Sequence, residues 1–210
     1  MNAIKPLISF RWVVLGVALL GLAGCATSNR YPSAPTQADQ MSDWNYLIGP
    51  GDSVTIFVWR NPEVSGSFPV RPDGKMTSHL VEDMPASGKT PSQLARDLEK
   101  ALSKYIQEPI VTVVVSGGVG PFSQQIRVIG QAAKPQALNY RENMSLIDLM
   151  IAVGGITDFA AGNKAYILRT VDGKPQRFGV RLEDLVNGGD ISADVPMRPG
   201  DVVVIPESFF

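Results

Sequence analysis

The chain has 210 residues, of which 19 are Lys or Arg and 20 are Asp or Glu, giving a formal net charge of −1. Balanced charge without a basic run argues against a nucleic-acid partner, because such binding depends on clustered Lys and Arg. A single cysteine excludes an intramolecular disulfide, so the folded body must be stabilised by burial of the 44% of residues that are hydrophobic.

The N-terminal segment has the pattern of a secretory signal. A short basic start precedes an apolar run, Trp12–Leu22, which is shorter than the roughly 20 apolar residues of a membrane-spanning helix. Leu22-Ala23-Gly24-Cys25 then resembles the lipobox of bacterial lipoproteins. The resemblance implies that residues 1–24 are a lipoprotein signal peptide and that Cys25 is acylated. The alternative is an ordinary signal peptide followed by a chance cysteine.

Residues 25–43 are small, polar and proline-bearing, without periodicity. This composition is typical of a flexible tether, here between the lipid and the folded body. Ala26 stands where an aspartate favours inner-membrane retention in enteric bacteria. We therefore expect a protein that is lipid-anchored at the outer membrane, with its body in the periplasm and with order beginning near Trp44.

The first predicted strand is Val54–Trp59 (VTIFVW), which is rich in β-branched and aromatic residues. The turn Gly49-Pro50-Gly51-Asp52 leads into it. A second turn, Pro72-Asp73-Gly74-Lys75, lies between two short segments of strand character. It predicts a hairpin that pairs Ser67–Val70 with Met76–Ser78.

Thr90-Pro91-Ser92-Gln93 predicts the start of a helix. Thr90 suits the N-cap, Pro91 suits the first helical position, and Gln93 completes a capping box. Apolar residues follow at helical spacing, namely Leu94, Leu98, Ala101, Leu102 and Tyr105. The helix is expected to stop before Pro109, and Ile110–Val115 (IVTVVV) predicts a strand buried on both faces.

The segment Ser116–Pro121 carries glycines at 117, 118 and 120 and predicts a linker at a domain boundary. A strand, Gln125–Gly130, is predicted after it. A short helix follows, with Ser145 as N-cap and Asp148 as its capping-box partner. It is expected to end at Gly154-Gly155, where a left-handed cap favours glycine.

Ala165–Thr170 and Gln176–Val180 predict strands that flank the turn Asp172-Gly173-Lys174, and Val202–Ile205 predicts the last strand. The turn before this strand, Pro199-Gly200-Asp201, repeats the Pro50-Gly51-Asp52 of the first strand. In both turns the aspartate can accept hydrogen bonds from backbone N–H groups. The repeat is too short to indicate a duplication.

Two motifs resemble parts of known ligand sites, but each lacks residues that such a site requires. Ser87-Gly88-Lys89-Thr90 precedes a helix as a phosphate-binding loop does, yet Asp83 stands where that loop needs its first glycine. His79, the single histidine, lies near Glu82 and cannot build a His-rich zinc site. We therefore predict a surface or packing role for His79, and no metal site, cofactor or catalytic residue.

Taken in order, several segments resemble the bacterial outer-membrane polysaccharide export proteins, the Wza-like auxiliary family. In the first half they are Tyr46–Asp52, Val54–Trp59, Val70–Gly74, Gly88–Leu94 and Glu108–Val113. In the second half they are Val128–Gln131, Leu146–Met150, Ala152–Thr157 and Met197–Pro206.

The resemblance implies an α+β fold of two small domains. The first, residues 44–117, is an export domain of strands plus one helix, and the second, residues 125–207, is a β-grasp domain of the soluble-ligand-binding (SLBB) type. The structural motif residues that match the family are Gly49, Pro50, Gly51, Asp52, Gly74, Gly130, Gly154, Gly155, Pro199, Gly200 and Asp201.

Two departures refine the resemblance. His79 and Glu82 replace a proline and a glycine that are frequent in the family, and Leu80–Thr90 (LVEDMPASGKT) instead resembles the subgroup found with exosortase and PEP-CTERM systems. Nothing after Ile205 provides the several turns of an amphipathic helix, which lines the pore of full-length relatives. The resemblance therefore implies a short-type exporter that needs a separate outer-membrane β-barrel.

The function implied is non-enzymatic guidance of exopolysaccharide through the envelope by a ring of copies. The implied partners are the exopolysaccharide, an inner-membrane polysaccharide copolymerase, the β-barrel, and outer-membrane lipid through acylated Cys25. A second hypothesis is a surface carbohydrate-binding lipoprotein with aromatic platforms among Trp44, Trp59, Tyr140 and Tyr166. A third, a glycan-trimming enzyme, rests on scattered carboxylates alone.

Overall fold

The computed structural model describes residues 31–35 and 44–208. The expected signal peptide, Cys25, the tether residues 25–30 and 36–43, and Phe209-Phe210 lie outside the described residues. From Tyr31 onward the chain forms one unit, built on two separate hydrophobic cores. We name its parts the N-terminal lobe (residues 44–116), the connecting segment (117–125) and the C-terminal lobe (126–208).

The N-terminal lobe contains a three-stranded antiparallel sheet, a two-stranded sheet and one helix. The three-stranded sheet has β1 (Ser53–Val58) in the centre, flanked by β2 (Gly66–Pro69) and β5 (Val111–Ser116). The two-stranded sheet pairs β3 (Lys75–Ser78) with β4 (Val81–Pro85), and the helix α1 covers Pro91–Leu102. Val54, Ile56 and Val58 point into the core against α1.

Helix α1 begins as its sequence predicts. The Thr90 hydroxyl accepts a hydrogen bond from the Gln93 N–H at 3.2 Å, and the Gln93 side chain accepts one from the Thr90 N–H at 2.9 Å. These bonds satisfy N–H groups that have no partner within the helix. The helix ends at Leu102, before the last residue of the predicted apolar face, so Tyr105 lies outside it and is exposed.

The predicted hairpin across Pro72–Lys75 is wrong. Strand β2 pairs with β1, and β3 pairs instead with β4. In the observed register Phe68 lies opposite Val54 and packs against the core. The turn at Pro72–Lys75 therefore connects two different sheets.

The prediction that Ile110–Val115 is buried on both faces is also wrong. Val111 is buried, Val113 and Val115 are half-buried, while Thr112 and Val114 are exposed. A run of β-branched residues does not by itself show whether a second layer covers the strand. In this lobe the helix covers one face of the sheet, and among the described residues nothing buries the other face.

The C-terminal lobe is a five-stranded mixed sheet with the order β7-β6-β10-β8-β9. Its strands are β6 (Ile126–Gly130), β7 (Ala137–Leu138), β8 (Tyr166–Val171), β9 (Lys174–Gly179) and β10 (Val202–Ile205). Strands β6 and β10 run parallel, and the other pairs are antiparallel. The helices α2 (Leu146–Val153) and α3 (Leu182–Val186) bury their apolar residues on the same core. The fold is α+β, as expected.

Local signals in this lobe are confirmed. The Asp148 carboxylate accepts hydrogen bonds from the N–H and the hydroxyl of Ser145, and α2 ends at Gly154 with φ 78°. Asp172 and Gly173, both with positive φ, join β8 to β9. Each of these features depends only on adjacent residues.

Part of the expected tether is packed against the C-terminal lobe. The Gly179 N–H at the end of β9 donates to the Pro32 carbonyl at 2.8 Å, and the Ala34 N–H donates to the Gly179 carbonyl at 3.2 Å. The Arg177 guanidinium donates to the Tyr31 hydroxyl. Order therefore begins before Trp44, because the edge strand β9 offers backbone partners. Within the described ranges no helix combines the length and hydrophobicity needed to cross a bilayer.

Candidate functional site

The two Pro-Gly-Asp turns have the same local geometry. The Asp52 carboxylate accepts the Gly49 N–H at 2.8 Å, and the Asp201 carboxylate accepts the Arg198 N–H at 2.8 Å. Each aspartate thus bonds the residue three positions before it, across a turn whose glycine has positive φ. The prediction that these side chains bond backbone N–H groups is confirmed.

Asp52 also holds the connecting segment. Its carboxylate accepts the Val119 N–H at 2.8 Å and the Tyr46 hydroxyl at 2.5 Å. The Tyr46 oxygen in turn accepts the Gly120 N–H at 3.0 Å. Burial and the hydrogen bond to Asp52 raise the pKa of the Tyr46 phenol above its ordinary value. The connecting segment, predicted as a linker from its glycines, is therefore fixed to the start of β1.

Asp201 has a different main partner. Its carboxylate accepts two hydrogen bonds from the Arg169 guanidinium, at 2.9 and 2.7 Å, and both side chains are at least 95% buried. Arg169 also donates to the Pro196 carbonyl. A bidentate pair of this kind neutralises both charges, so Asp201 is committed to the fold and is not available to a ligand.

Both turns contact the connecting segment. A Cβ on Gly49 would lie 2.0 Å from the Gly120 carbonyl carbon, and one on Gly200 would lie 2.6 Å from the Ser123 oxygen. The structure therefore brings Gly49–Asp52 and Pro199–Asp201 together around one segment. The other motif glycines lie elsewhere: Gly74 before β3, Gly130 at the end of β6 against the Ile205 carbonyl, and Gly154-Gly155 after α2.

The four aromatic candidates for a carbohydrate platform do not form one surface. Trp44 and Tyr140 contact each other edge to face, with centroids 5.1 Å apart. Trp59 lies instead beside Phe57 on the three-stranded sheet, and Tyr166 lies beside Tyr31 on the C-terminal lobe. A single aromatic site built from all four is therefore excluded.

Trp44 and Tyr140 line a shallow recess beside the connecting segment, together with Tyr46, Gly118, Val119, Gly120, Gln124 and Asn139. The Trp44 Nε1 is buried there without a hydrogen-bond partner among the described residues. Burial and the nearby Glu142 raise the pKa of the Tyr140 phenol. The recess has room for about one water molecule, which suits the indole N–H.

The outer face of the three-stranded sheet is the largest feature that the sequence reasoning missed. Its side chains alternate with the buried ones along β1, so that Ser53, Thr55 and Phe57 point outward, followed by Trp59. The pattern Ser-Val-Thr-Ile-Phe-Val-Trp carries this period of two, and it was readable from the sequence. We define the outer sheet face as the outward residues of the three strands together with the flanking Trp59 and Ile110. The outward residues are Ser53, Thr55 and Phe57 of β1, Ser67 and Pro69 of β2, and Thr112, Val114 and Ser116 of β5.

Three aspartates of the described residues are held by neighbouring side chains. Arg71 pairs with Asp73 and Asp83, and its hydrogen bond lowers the pKa of Asp73. The Ser192 hydroxyl likewise lowers the pKa of Asp190, whereas a general acid needs a raised carboxyl pKa. In residues 31–35 and 44–208, no three His, Cys, Asp or Glu side chains are grouped so that they could hold a metal ion.

The motifs that suggested a ligand have structural partners. Lys89 forms an ion pair with Asp97 of α1 at 2.5 Å, and Thr90 caps the same helix, so neither side chain is left for a phosphate. The His79 ring packs edge to face on Phe68, with centroids 5.3 Å apart. His79 is exposed and contacts this neighbouring ring, in agreement with the predicted surface or packing role.

The N-terminal lobe matches a known protein family. A family described as polysaccharide biosynthesis/export protein matches residues 40–116, which end where β5 ends. Residues 40–116 are therefore similar to the polysaccharide export family. This match confirms the resemblance to export proteins, while the exosortase-associated subgroup stays a prediction.

Two relatives extend the similarity beyond the matched lobe. The chain is similar to the EPS I polysaccharide export outer membrane protein EpsA of Ralstonia nicotianae, at 24% identity over 77% of this chain and 47% of the relative. It is also similar to the protein of the same name from Ralstonia solanacearum, at 25% identity over 75% of this chain and 47% of that relative. The chain spans about half the length of these curated relatives.

Proposed function

We propose that this protein is a non-enzymatic component of polysaccharide export, anchored at the outer membrane with its body in the periplasm. The observation that carries the proposal is the family match over residues 40–116, continued by relatives that bear the name of outer membrane export proteins.

The C-terminal lobe is proposed to be an SLBB-type β-grasp domain within residues 125–207, following an export domain at 44–117. The mixed sheet with its parallel central pair β6 and β10, covered by α2, supports this assignment. The separate hydrophobic cores on either side of the connecting segment support the domain limits.

The protein is proposed to assemble as a ring. Helix α2 exposes Ile147 and Ile151, which lie four residues apart and so share one helix face. Val186 of α3 lies beside the end of α2, and Ile191 is exposed after it. An exposed apolar patch of this kind marks a protein contact, and a heterologous contact between identical copies closes into a ring when its rotation permits.

The proposed partners are those that the family resemblance implies. They are the exported polysaccharide, an inner-membrane copolymerase, a separate outer-membrane β-barrel, and membrane lipid through acylated Cys25. Two or more acyl chains on one cysteine would hold the protein stably, at about 0.8 kcal/mol per buried CH₂ group. An exosortase-associated polymer system is proposed on the Leu80–Thr90 segment alone.

Gene deletion with complementation tests the function. We expect loss of extracellular polysaccharide in the deletion strain, restoration by the wild-type gene, and release from the membrane fraction for Cys25→Ser. Ile151→Glu should lower the native mass of the purified assembly, whereas Tyr105→Ser, on the exposed surface of the N-terminal lobe, should not. Unchanged polysaccharide secretion in the deletion strain would refute the export function.

A further inference from the structure

The outer sheet face is organised in rows across the three strands. Pro69, Ser53 and Ser116 form one row, and Ser67, Thr55 and Val114 form the next. Phe57 and Thr112 lie opposite each other in the third row. Trp59 follows, with its N–H bonded to the Ile110 carbonyl. The face thus grades from hydroxyl groups at one end to aromatic and aliphatic groups at the other.

No charged side chain belongs to these rows, although 19% of the chain is charged. Phe57 is 51% exposed, Trp59 is 55% exposed and Val114 is 57% exposed. An uncharged face is unsuited to nucleic acid, to an anionic lipid surface or to a metal ion, each of which requires charge.

The hydroxyl groups form a chain across the strands. Ser53 and Ser67 share a hydrogen bond of 2.9 Å, Thr55 donates to Ser67 at 3.2 Å, and Ser116 donates to the Ser53 carbonyl at 3.4 Å. A hydroxyl has one donor and two acceptor positions. The chain therefore leaves acceptor capacity pointing outward, at the spacing of a β-sheet.

The aromatic end supplies a different kind of contact. Phe57 and Trp59 meet edge to face, with centroids 6.4 Å apart, and their other surfaces remain open. Aromatic faces bind apolar C–H surfaces well, and the indole N–H adds a donor. Sugars present C–H groups on the ring face and hydroxyl groups at the ring edge, which match the two ends of this surface.

A protein partner fits the outer sheet face less well. Serine is depleted in protein–protein interfaces, whose centres are apolar. The Ile147, Ile151, Val186 and Ile191 patch on the other lobe has that apolar character, while the outer sheet face mixes serine and threonine with its apolar groups.

We propose that the outer sheet face is a contact surface for the exported polysaccharide chain, bound through uncharged hydroxyl and aromatic groups. The identity of the polymer rests on the proposed export function. The surface is a sheet face without a deep pocket, so binding is weak and repeated along the polymer. A transported species must be able to leave each site.

Affinity electrophoresis tests this proposal on the full-length protein purified in detergent. The probe is polysaccharide purified from the culture medium of the producing strain, cast into the gel at increasing concentration. Phe57→Thr with Trp59→Thr should weaken retardation by about tenfold, as expected when two aromatic contacts are lost. Threonine retains β-propensity, so the sheet should fold, as near-ultraviolet and far-ultraviolet circular dichroism would show.

Three controls make the result specific. Phe122→Thr removes another exposed aromatic residue, outside this sheet, and should leave retardation unchanged. Trp59→Phe keeps an aromatic ring and should retain most of the binding. Since the face is uncharged, retardation should be the same at low and high salt.

Two outcomes would overturn the proposal. One is unchanged retardation of the double threonine variant. The other is a change in native mass with polymer binding intact, which would make the face a contact between copies. Failure of the export function would appear separately, as normal secretion by the deletion strain, and would not alter the gel measurement.

Discussion

Asp52 and Asp201 occupy equivalent positions in two turns that hold the same connecting segment from the two lobes. Each carboxylate accepts the N–H of the residue three positions earlier at 2.8 Å. Asp52 then takes backbone and tyrosine donors, whereas Asp201 takes the Arg169 guanidinium. The shared turn fixes where each side chain sits, and the neighbouring residues decide what it binds.

Asp52→Ala should destabilise the protein by about 2–4 kcal/mol, because the buried Gly49 N–H and the part-buried Val119 N–H lose their acceptor. The midpoint and slope of urea unfolding give this value. Asp73→Ala is the control, since Asp73 is exposed in a surface ion pair worth about 0–1 kcal/mol. Equal effects of the two substitutions would contradict the role of Asp52.

Arg169→Ala should cost about 3–5 kcal/mol, because it leaves the buried Asp201 carboxylate without its cation. Arg169→Met combined with Asp201→Asn should recover part of that loss, since it removes the unpaired charge while keeping volume. Unfolding monitored by circular dichroism provides the comparison. As a control, the surface variant Arg181→Ala should change stability little. If the double variant is no more stable than Arg169→Ala, the unpaired Asp201 charge is not the cause of the loss.

Gly49→Ala should disrupt the contact between the turn before β1 and the connecting segment. Its Cβ would lie 2.0 Å from the Gly120 carbonyl carbon, so backbone must move. Gly179→Ala is the matched control, because its Cβ would meet its nearest atom, the Tyr31 oxygen, at an ordinary 3.5 Å. We expect the free energies of unfolding of the two variants to differ by at least about 2 kcal/mol in thermal or urea unfolding. Equal stabilities would show that the connecting segment can move to accommodate the added methyl group.

The raised pKa of the Tyr46 phenol predicts that the folded protein loses stability at alkaline pH. Burial and Asp52 raise the pKa of the folded phenol above its ordinary value of 10.0. The unfolded chain therefore loses this proton at a lower pH than the folded chain does. The contribution of protonated Tyr46 to the free energy of unfolding is therefore complete below about pH 10. It falls as the pH rises further, towards the pKa of the folded phenol.

Tyr46→Phe should remove that part of the alkaline decline and cost about 1 kcal/mol at neutral pH, through loss of the hydrogen bond to Asp52. Urea midpoints measured between neutral and strongly alkaline pH test this. Tyr105→Phe, at an exposed position, should follow the wild-type curve. A Tyr46→Phe curve parallel to that of the wild type would remove Tyr46 as the source.

Local features of the fold were predictable because their causes lie within a few residues. The Thr90–Gln93 capping box, the Gly154 cap and the Asp172-Gly173 turn each follow from adjacent side chains. The pairing of β3 with β4 and the exposure of Val114 were not predictable in this way. They depend on which distant surfaces remain for each strand to cover.

The functional surfaces divide along the same line. Asp52 and Asp201 were identified as backbone acceptors from their turns, but neither Arg169 nor the Val119 N–H could be named as a partner from a separation of 32 or 67 residues. Trp59 was a candidate aromatic, yet its backbone partner Ile110 and the Thr112 that lies opposite Phe57 became known only from the strand register.

The sequence by itself determined the α+β class, the helix caps, the turns and the resemblance to export proteins, because these depend on short-range hydrogen bonding and on the order of the motifs. Tertiary structure alone decided the strand partners, the contacts of the two Pro-Gly-Asp turns with the connecting segment, and the uncharged outer sheet face. Those depend on register and burial between residues far apart in the chain, and no local pattern specifies them.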